Sequence, residues 1–345
     1  MGHEPQDRVV ETLTRIAFLL ERAQASTYRS GAYRQAAAVV AGLPAEEFGR
    51  RAEEGAWTDL SGVGPSTSEV VVDVLRGRTP RTLADLEEDL ADRLAAASPD
   101  GHRLRAALRG DLHSHTDASD GGAPLQDMAL AAEAIGHDYL AVTDHSPRLR
   151  VANGLSAERL VKQVELVRAM NEVLAPFRLL AGIEVDVLDD GTLDQRPDLL
   201  ERLDVVVASV HSKLRMDTAA MTRRMVAAVS GPHVDVLGHC TGRRVRGRTR
   251  PPSEFDAAAV FGACARHDVA VEVNARPDRQ DPPEDLLALA ADAGCLFAVD
   301  SDAHAPGQLD WQVDGCQRLA TAGVGPERVV NTWSPGRLLE WTARR

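Results

Sequence analysis

The sequence predicts an all-helical N-terminal domain followed by an α/β domain built as a TIM-like barrel of parallel strands. Three observations predict it. Residues 6–95 carry only apolar patterns of helical period. From about residue 108 onward, seven short apolar runs alternate with helical patterns. Nearly every one of those runs ends in His, Asp or Glu, as strands do when they converge on the active face of a barrel. A length of 345 residues accommodates one large α/β domain and a smaller one.

In the helical part, VVETLTRIAFLLERA places Val9, Leu13, Ile16 and Leu20 on one buried stripe. YRSGAYRQAAAVVAGLP reads as a second helix, ended by Gly42 and Pro44. In LSGVGPSTSEVVVDVLRG, the triplet Gly62-Val63-Gly64 makes a tight turn before a helix through Val70, Val71 and Val74. LADLEEDLADRLAAA is a further helix, and Ser98-Pro99-Asp100-Gly101 is a turn-rich boundary. The expected domains are residues 1–100 and 108–345.

The seven strand candidates are GDLHSHT, YLAVTDHS, RLLAGIEVDV, VVVASVHS, VDVLGHC, VAVEVNA and LFAVDSDAH. Runs such as SAERLVKQVELVRAMNEVL and PEDLLALAADAG separate them as helices. Continuous apolar strands of this kind are buried on both faces, as in parallel sheets.

The composition, 44% hydrophobic and 26% charged, is that of a folded soluble protein. No stretch of about 18 apolar residues is present, so no membrane span is expected. The polar N-terminus lacks a signal-peptide core. Cys240, Cys264, Cys295 and Cys316 show no C-x-x-C spacing, which points to a reduced, cytoplasmic protein. The formal net charge of −13 argues against coating nucleic acid by bulk charge. It leaves room for a local basic site.

The histidines carry the chemistry. His113 and His115 end the first strand, with Asp120 beyond it; Asp144-His145 end the second. Glu184, His211 and His239 stand on the third, fourth and fifth, and Asp302 and His304 end the seventh. Positions i and i+2 of a strand share a face, so His113 with His115 and Asp302 with His304 face one interior. Six histidines and three carboxylates are too many ligands for one or two tetrahedral ions, and three ions fit the count better. The mixed nitrogen and oxygen set accepts Mn²⁺, Zn²⁺ or Fe²⁺. The other five histidines (His3, His102, His137, His233, His267) read as surface residues of tails, loops and helix ends.

These motifs resemble the polymerase and histidinol phosphatase (PHP) family over residues 110–340: DLHSHTDASDG, TDHS, GIEVDVL with SVHS, and GHCTGR with VDSDAH follow its motifs in order. Within that family, TDHSPRLRVANGLSAERL, MTRRMVAAV, GHCTGRR and VEVNARPDR are most similar to the PHP domain of bacterial family X DNA polymerases. The resemblance implies a distorted seven-stranded (β/α) barrel and a trinuclear Zn or Mn site. It implies one ion on His113, His115, Glu184 and Asp302, a second on Glu184, His211 and His239, and a third on Asp120, His145 and His304. Asp120 stands where some small-phosphatase relatives carry histidine, which leans toward the polymerase-associated branch.

Residues 6–95 resemble the N-terminal helical domain of family X polymerases, with LSGVGPSTSEVVVDVLRG as its helix-hairpin-helix. Backbone N–H groups at Gly62, Val63 and Gly64 could then hold a DNA phosphate without net positive charge. The polymerase palm has no room between residues 95 and 110, so no polymerase activity is expected. The lyase position is likewise without a lysine, since Ser66 and Val70 occupy the matching stretch. Residues 1–109 hold 14 basic and 17 acidic side chains, a net of −3, which predicts weak DNA affinity.

The expected chemistry is metal-dependent phosphoester hydrolysis. Glu184 and Asp302 would hold ions at the reacting centre, and Asp144 would orient His145 or a neighbouring ligand. Arg243, first of the arginines in TGRRVRGRTR, is the expected phosphate clamp. Lys213, Asn274 and Arg276 are further candidate substrate contacts. The leading reading is a phosphoesterase acting at DNA 3′ ends, as a 3′–5′ exonuclease or a 3′-end-cleaning enzyme. The alternatives are a small-molecule phosphomonoesterase of the histidinol-phosphatase type and a non-catalytic DNA-binding protein with a structural metal site.

Overall fold

The apolar stripe of the first helix organises the N-terminal unit. The computed structural model describes residues 4–344. The chain divides into two compact units, Met1–Ala96 and Ala97–Arg345. The first unit contains helices α1 (Glu4–Arg22), α2 (Thr27–Ala41), α3 (Ala45–Glu54), α4 (Pro65–Leu75) and α5 (Arg81–Ala95). Val9, Leu13, Ile16 and Leu20 are at most 1% exposed and pack with Tyr33, Ala36 and Val40 of α2 and with Val70 and Val71 of α4. Ser26 caps α2, which ends at Ala41 before Gly42. Phe48 of α3 meets Trp57 at a ring separation of 5.3 Å.

The hairpin before α4 is set by its glycines. Gly62 has φ +95°, which favours glycine, and a Cβ there would lie 2.8 Å from Gln35 Cγ. Gly64 N donates to Thr67 Oγ1 at 2.9 Å, and Pro65 opens the helix. Val63 is buried in the core between them.

The second unit begins earlier than the sequence suggested. Ser98 caps a helix, α6 (Pro99–Ala107), with Pro99 at its first position. The tetrapeptide expected as a boundary turn therefore starts a helix of the larger unit. Ser98 N donates to Gln317 Oε1 at 2.7 Å, and Leu104 is buried in the main core.

Seven parallel strands follow: β1 (Gly110–Asp111), β2 (Tyr139–Val142), β3 (Arg178–Asp186), β4 (Val205–Ser209), β5 (Val236–Leu237), β6 (Ala270–Asn274) and β7 (Phe297–Asp300). Their order in the sheet is the order in the chain. The barrel is distorted, because β1 and β5 are only two residues long. Between β7 and β1 there is no regular ladder; a parallel bridge from Ser114 to Ala303 joins the two edges, with His115 N donating to Ala303 O at 2.8 Å.

Helices fill the connections: α7 (Leu125–Ala134), α8 (Ala157–Leu174), α9 (Pro197–Leu200), α10 (Thr218–Val229), α11 (Ala257–Arg266), α12 (Glu284–Asp292), α13 (Gln312–Thr321) and α14 (Pro335–Thr342). Alternate strand residues face them. Val206, Ala208, Leu237, Val271, Val273, Phe297 and Val299 share the core with residues of α10, α11 and α12. The intervening residues, Tyr139, Ala141, Leu180, Val205, Val207, Val236, Ala270 and Ala298, pack with Trp333, Leu338 and Trp341 around α14. That second set is the apolar interior floor on which the polar site stands.

One histidine expected at the surface is not there. His137 is 4% exposed, close to Arg105 and Gln312. His102 and His267 are exposed and His233 is half-buried, while His3 lies outside the described residues.

Candidate metal centre

Carrying the strand alternation two residues further places acids and imidazoles above the apolar floor. Glu184 and Asp186 follow Leu180 on β3 in steps of two; Glu272 and Asn274 follow Ala270 on β6; Asp300 and Asp302 follow Ala298 on β7. All of these side chains are buried.

Glu184 is the hub. Its Oε1 lies 2.8 Å from His239 Nε2 and 3.2 Å from His211 Nε2. Its Oε2 lies 2.7 Å from His145 Nδ1, 3.5 Å from His113 Nε2 and 3.6 Å from His115 Nε2. Asp302 Oδ1 lies 3.4 Å from His115 Nε2, and Asp120 Oδ1 lies 3.4 Å from His145 Nε2 and 3.5 Å from His304 Nε2. Asp120 is held by a loop that doubles back at Gly121, where a Cβ would fall 2.7 Å from His115 O.

Ligand atoms converge within 4.8 Å in four overlapping groups: His115, Asp120, His145 and His304; His113, Glu184 and His239; His113, His115 and Asp302; His145, Glu184 and His211. Every one of the nine expected ligands falls in a group. The sharing differs from the expected sets: His211 and His239 meet Glu184 in separate groups, and His115 also joins the Asp120 group.

The side chains fit divalent ions. His113 Nε2, both ring nitrogens of His115 and His211 Nε2 are buried and have no hydrogen-bond partner. Such orphaned acceptors are costly unless something else binds them. Their other atoms are already fixed. His113 Nδ1 lies 2.5 Å from Glu272 Oε1, and His211 Nδ1 lies 3.0 Å from Asp186 Oδ1. A carboxylate behind an imidazole fixes the tautomer that offers the far nitrogen to a metal.

The electrostatics divide the cluster. Burial alone would raise the Glu184 carboxyl, but the charges of His211, His113 and His145 outweigh it and hold it well below the ordinary range. Burial is likewise outweighed at Asp302, by Arg279 and Arg276. Burial together with His145 and His304 pushes the His115 imidazole well below its ordinary value. Burial would lower the His113, His145 and His211 imidazoles, but the carboxylates around them, Glu184 foremost at His145 and His211, outweigh it and raise all three, so an ion bound there would displace their protons.

The other expected site residues divide. Arg276 stands at the centre, with Nη1 3.3 Å from His304 Nδ1 and 3.5 Å from Asp302 Oδ1. Asn274 is fully buried; its Nδ2 donates to Glu272 Oε2 at 3.1 Å and Asp302 Oδ2 at 3.2 Å, which fixes the amide against two carboxylates of the cluster. Asp144 does not touch the His145 ring. It accepts from Thr116 N at 2.8 Å, Thr116 Oγ1 at 2.6 Å, Ser119 Oγ and Gln163 Nε2, and so fastens the loop leading to Asp120.

Two cationic candidates meet protein partners in the structure. Arg243 is not free to clamp a phosphate, because its guanidinium donates to Arg279 O at 3.1 Å and to Gln280 O. Lys213 sits at φ +51°, which turns its exposed ammonium to Asp189. The buried guanidinium at the centre is instead Arg279, with Nε 2.9 Å from Asp302 Oδ2.

Glu272, Asp186, Gln163 and Arg279 were missed from the sequence. The first two were within reach of the two-residue strand rule, applied to VEVNA and to GIEVD. No sequence spacing marks Gln163 or Arg279.

In the N-terminal unit, Val63 N donates to Leu60 O at 3.0 Å and Gly64 N is held by Thr67. A cavity of about 710 Å³ beside the hairpin is lined by Arg29 and Arg81, but also by Glu69, Asp73 and Asp85. Among the described residues, no helix is long and apolar enough to cross a membrane.

Residues 111–276 match the PHP domain, and residues 4–80 match a helix-hairpin-helix domain. The DNA polymerase/3′-5′ exonuclease PolX of Bacillus subtilis (strain 168) is 37% identical over 227 residues, 66% of this chain. The match spans only 40% of that polymerase. A probable phosphatase of Serratia proteamaculans (strain 568) is 32% identical over 253 residues, 68% of this chain and 94% of the phosphatase. A solved structure of histidinol phosphate phosphatase from Lactococcus lactis, complexed with zinc, L-histidinol and phosphate, aligns at TM-score 0.45 and 16% identity, over 63% of this chain and 94% of that one.

Proposed function

The chain belongs to the PHP-domain family of metal-dependent phosphoesterases, and on that premise we propose that it hydrolyses phosphoester bonds at DNA 3′ ends. The observation that carries the phosphoesterase chemistry is the hub at Glu184, where ligand atoms of five histidines surround one buried carboxylate. The DNA substrate is supported by the helix-hairpin-helix match and by the 37% identity to a 3′-5′ exonuclease.

His113, His115, Asp120, His145, Glu184, His211, His239, Asp302 and His304 would hold three divalent ions, manganese, zinc or iron. Bound there, the ions supply Lewis acidity toward a phosphoryl oxygen and make water acidic near neutral pH. Asn274 and Arg279 keep Asp302 pointed into the cluster. Glu272 and Asp186 keep His113 and His211 in the tautomers that offer Nε2. Arg276 is 20% exposed; with Nε on Asp278 Oδ1 and Nη1 beside His304, it would meet a phosphate through Nη2. With Gly62 and Gly64 at the hairpin turn and acidic residues in the neighbouring cavity, the helical unit would add only weak DNA affinity.

A second reading, a small-molecule phosphomonoesterase, is favoured by the 94% coverage of the Serratia phosphatase. One preparation of known metal content, assayed on recessed 3′-end DNA and on histidinol phosphate, separates the two. Manganese-dependent release of nucleotides from DNA supports the first. Turnover of histidinol phosphate alone, retained after deletion of residues 1–96, replaces it with the second.

A further inference from the structure

Five arginines fall within the ten residues 241–250, with no acid among them. In a chain of net charge −13 such a cluster must be held against its own repulsion. The structure shows how. Residues 244–250 form a short antiparallel ribbon, with Arg244 N to Arg250 O and Arg250 N to Arg244 O both 2.9 Å. Gly247, at φ +65°, turns its tip. Val245 N donates to Asp278 O at 2.7 Å, which ties the ribbon to the loop carrying Arg276 and Arg279.

Two of the five guanidiniums are spent on this anchoring, and a third lies near an acid. Arg243 binds the carbonyls of Arg279 and Gln280, Arg250 Nε donates to Gly242 O at 2.6 Å, and Arg244 Nε stands 3.9 Å from Asp278 Oδ2. The two at the tip, Arg246 and Arg248, are exposed and have no hydrogen-bond or ion-pair partner among the described residues. Some exposed arginines elsewhere pair with acids, Arg50 with Glu47 and Glu54, Arg78 with Asp73, Arg103 with Asp100 and Arg196 with Asp198, while others, such as Arg8 and Arg266, stand singly on helices. A braced ribbon that presents two unpaired guanidiniums is suited to an anionic partner with charges at repeated spacing.

We propose that the ribbon tip docks the backbone of single-stranded DNA, with Arg246 and Arg248 each taking one phosphate. This rests on the DNA reading above and deepens it. The ligands His113, His115, Glu184 and Asp302 are at most 1% exposed, so a phosphate reaches them only on a strand end freed from its complement. Holding the adjoining strand at the ribbon offsets part of the cost of that separation. A small phosphomonoester has no backbone to place there and gains nothing from the ribbon.

The test uses the full chain, metal-loaded, and a 5′-fluorescent oligonucleotide whose phosphorothioate 3′ linkages resist cleavage. Its affinity is read by anisotropy across a KCl series for the parent, R246A/R248A and R246K/R248K. Each phosphate contact on single strands contributes about 0.7 to the slope of log Kd against log salt, so the alanine pair should lower that slope by about 1.4. The lysine pair, keeping both charges, should retain it. Hydrolysis of p-nitrophenyl phosphate and the melting temperature should not change in either variant. Equal slopes for parent and alanine pair, or no binding by the parent, overturn the ribbon assignment. DNA cleavage with an unaltered slope would leave the 3′-end reading standing without the ribbon. Ribbon-dependent binding without cleavage of an ordinary oligonucleotide would do the reverse.

Discussion

His113 Nδ1 lies 2.5 Å from Glu272 Oε1, and both side chains are fully buried. Glu272 also accepts from His239 N through its other oxygen, at 2.5 Å. One carboxylate on β6 thereby sets the ring of one expected ligand and the backbone of another. Glu272→Gln keeps the size but cannot accept through both atoms. Its metal affinity should fall about 10–100-fold, the usual cost of losing a carboxylate behind a ligating imidazole. Metal per chain after dialysis against a buffered ion series checks this; an unchanged affinity would refute the role given to Glu272.

The Asp144 carboxylate has a different task, since all its partners are donors of the 116–119 loop and Gln163 of α8. Asp144→Ala strands these buried donors, at about 1–3 kcal/mol for each one left unsatisfied. Gln163→Ala removes one donor only and should cost about 1 kcal/mol. Its activity loss should be recovered by added manganese, because the displaced residue, Asp120, is one of the proposed ligands. Urea denaturation and a manganese titration of activity are the measurements. A loss that excess manganese leaves untouched would place Gln163 outside this chain of contacts.

Much of the centre was legible because strand periodicity is short and strict. His113, His211, His239 and Asp302 each stand just past a strand end and Glu184 two residues before one, so residue type and position agreed. Glu272 and Asp186 obey the same rule: Glu272 lies inside β6, and Asp186, the last residue of β3, stands two beyond Glu184 on the same face. Arg279 was not legible at all: a loop brings it back onto Asp302, and no period records that. Arg243 and Lys213 failed for a related reason, since spacing from His239 and His211 says nothing about nearby carbonyls or about a left-handed backbone at Lys213. In the helical unit, α3 escaped because Phe48 is its only buried residue, which makes no stripe. The α14 plug escaped because its partners are the barrel floor, remote in sequence.

Asp302 and Arg279 form a buried pair, their side chains 2% and 7% exposed, with Nε to Oδ2 at 2.9 Å. Removing one member of such a pair leaves an uncompensated charge in the interior and costs about 3–5 kcal/mol. Asp302→Ala should therefore destabilise the metal-free protein by that amount, beyond abolishing metal binding. The double variant Asp302→Ala, Arg279→Ala should recover part of the loss. Urea midpoints measured in chelator test it, and additive effects of the two substitutions would show that the pair is not coupled.

His137 supplies a pH dependence that lies outside the metal cluster. Burial, assisted by the positive charge of Arg105, pushes its pKa from 6.5 down to about 3. In the unfolded chain the ring protonates near its ordinary value, whereas in the folded protein it stays neutral. The unfolded state therefore binds one more proton between these values, and stability falls as pH falls. The contribution is complete above pH 6.5 and is lost progressively toward about pH 3. At about 1.36 kcal/mol per pH unit, the loss between pH 6.5 and 5 is about 2 kcal/mol. His137→Leu has no ring to protonate, so its stability should decline by about 2 kcal/mol less than the parent over that interval. Acidic groups, metal ligands included, titrate alike in both proteins, and the difference between two urea series, at pH 7 and pH 5, isolates His137. Parallel declines would show that the imidazole reaches water in the folded state and that its burial carries no acid sensitivity.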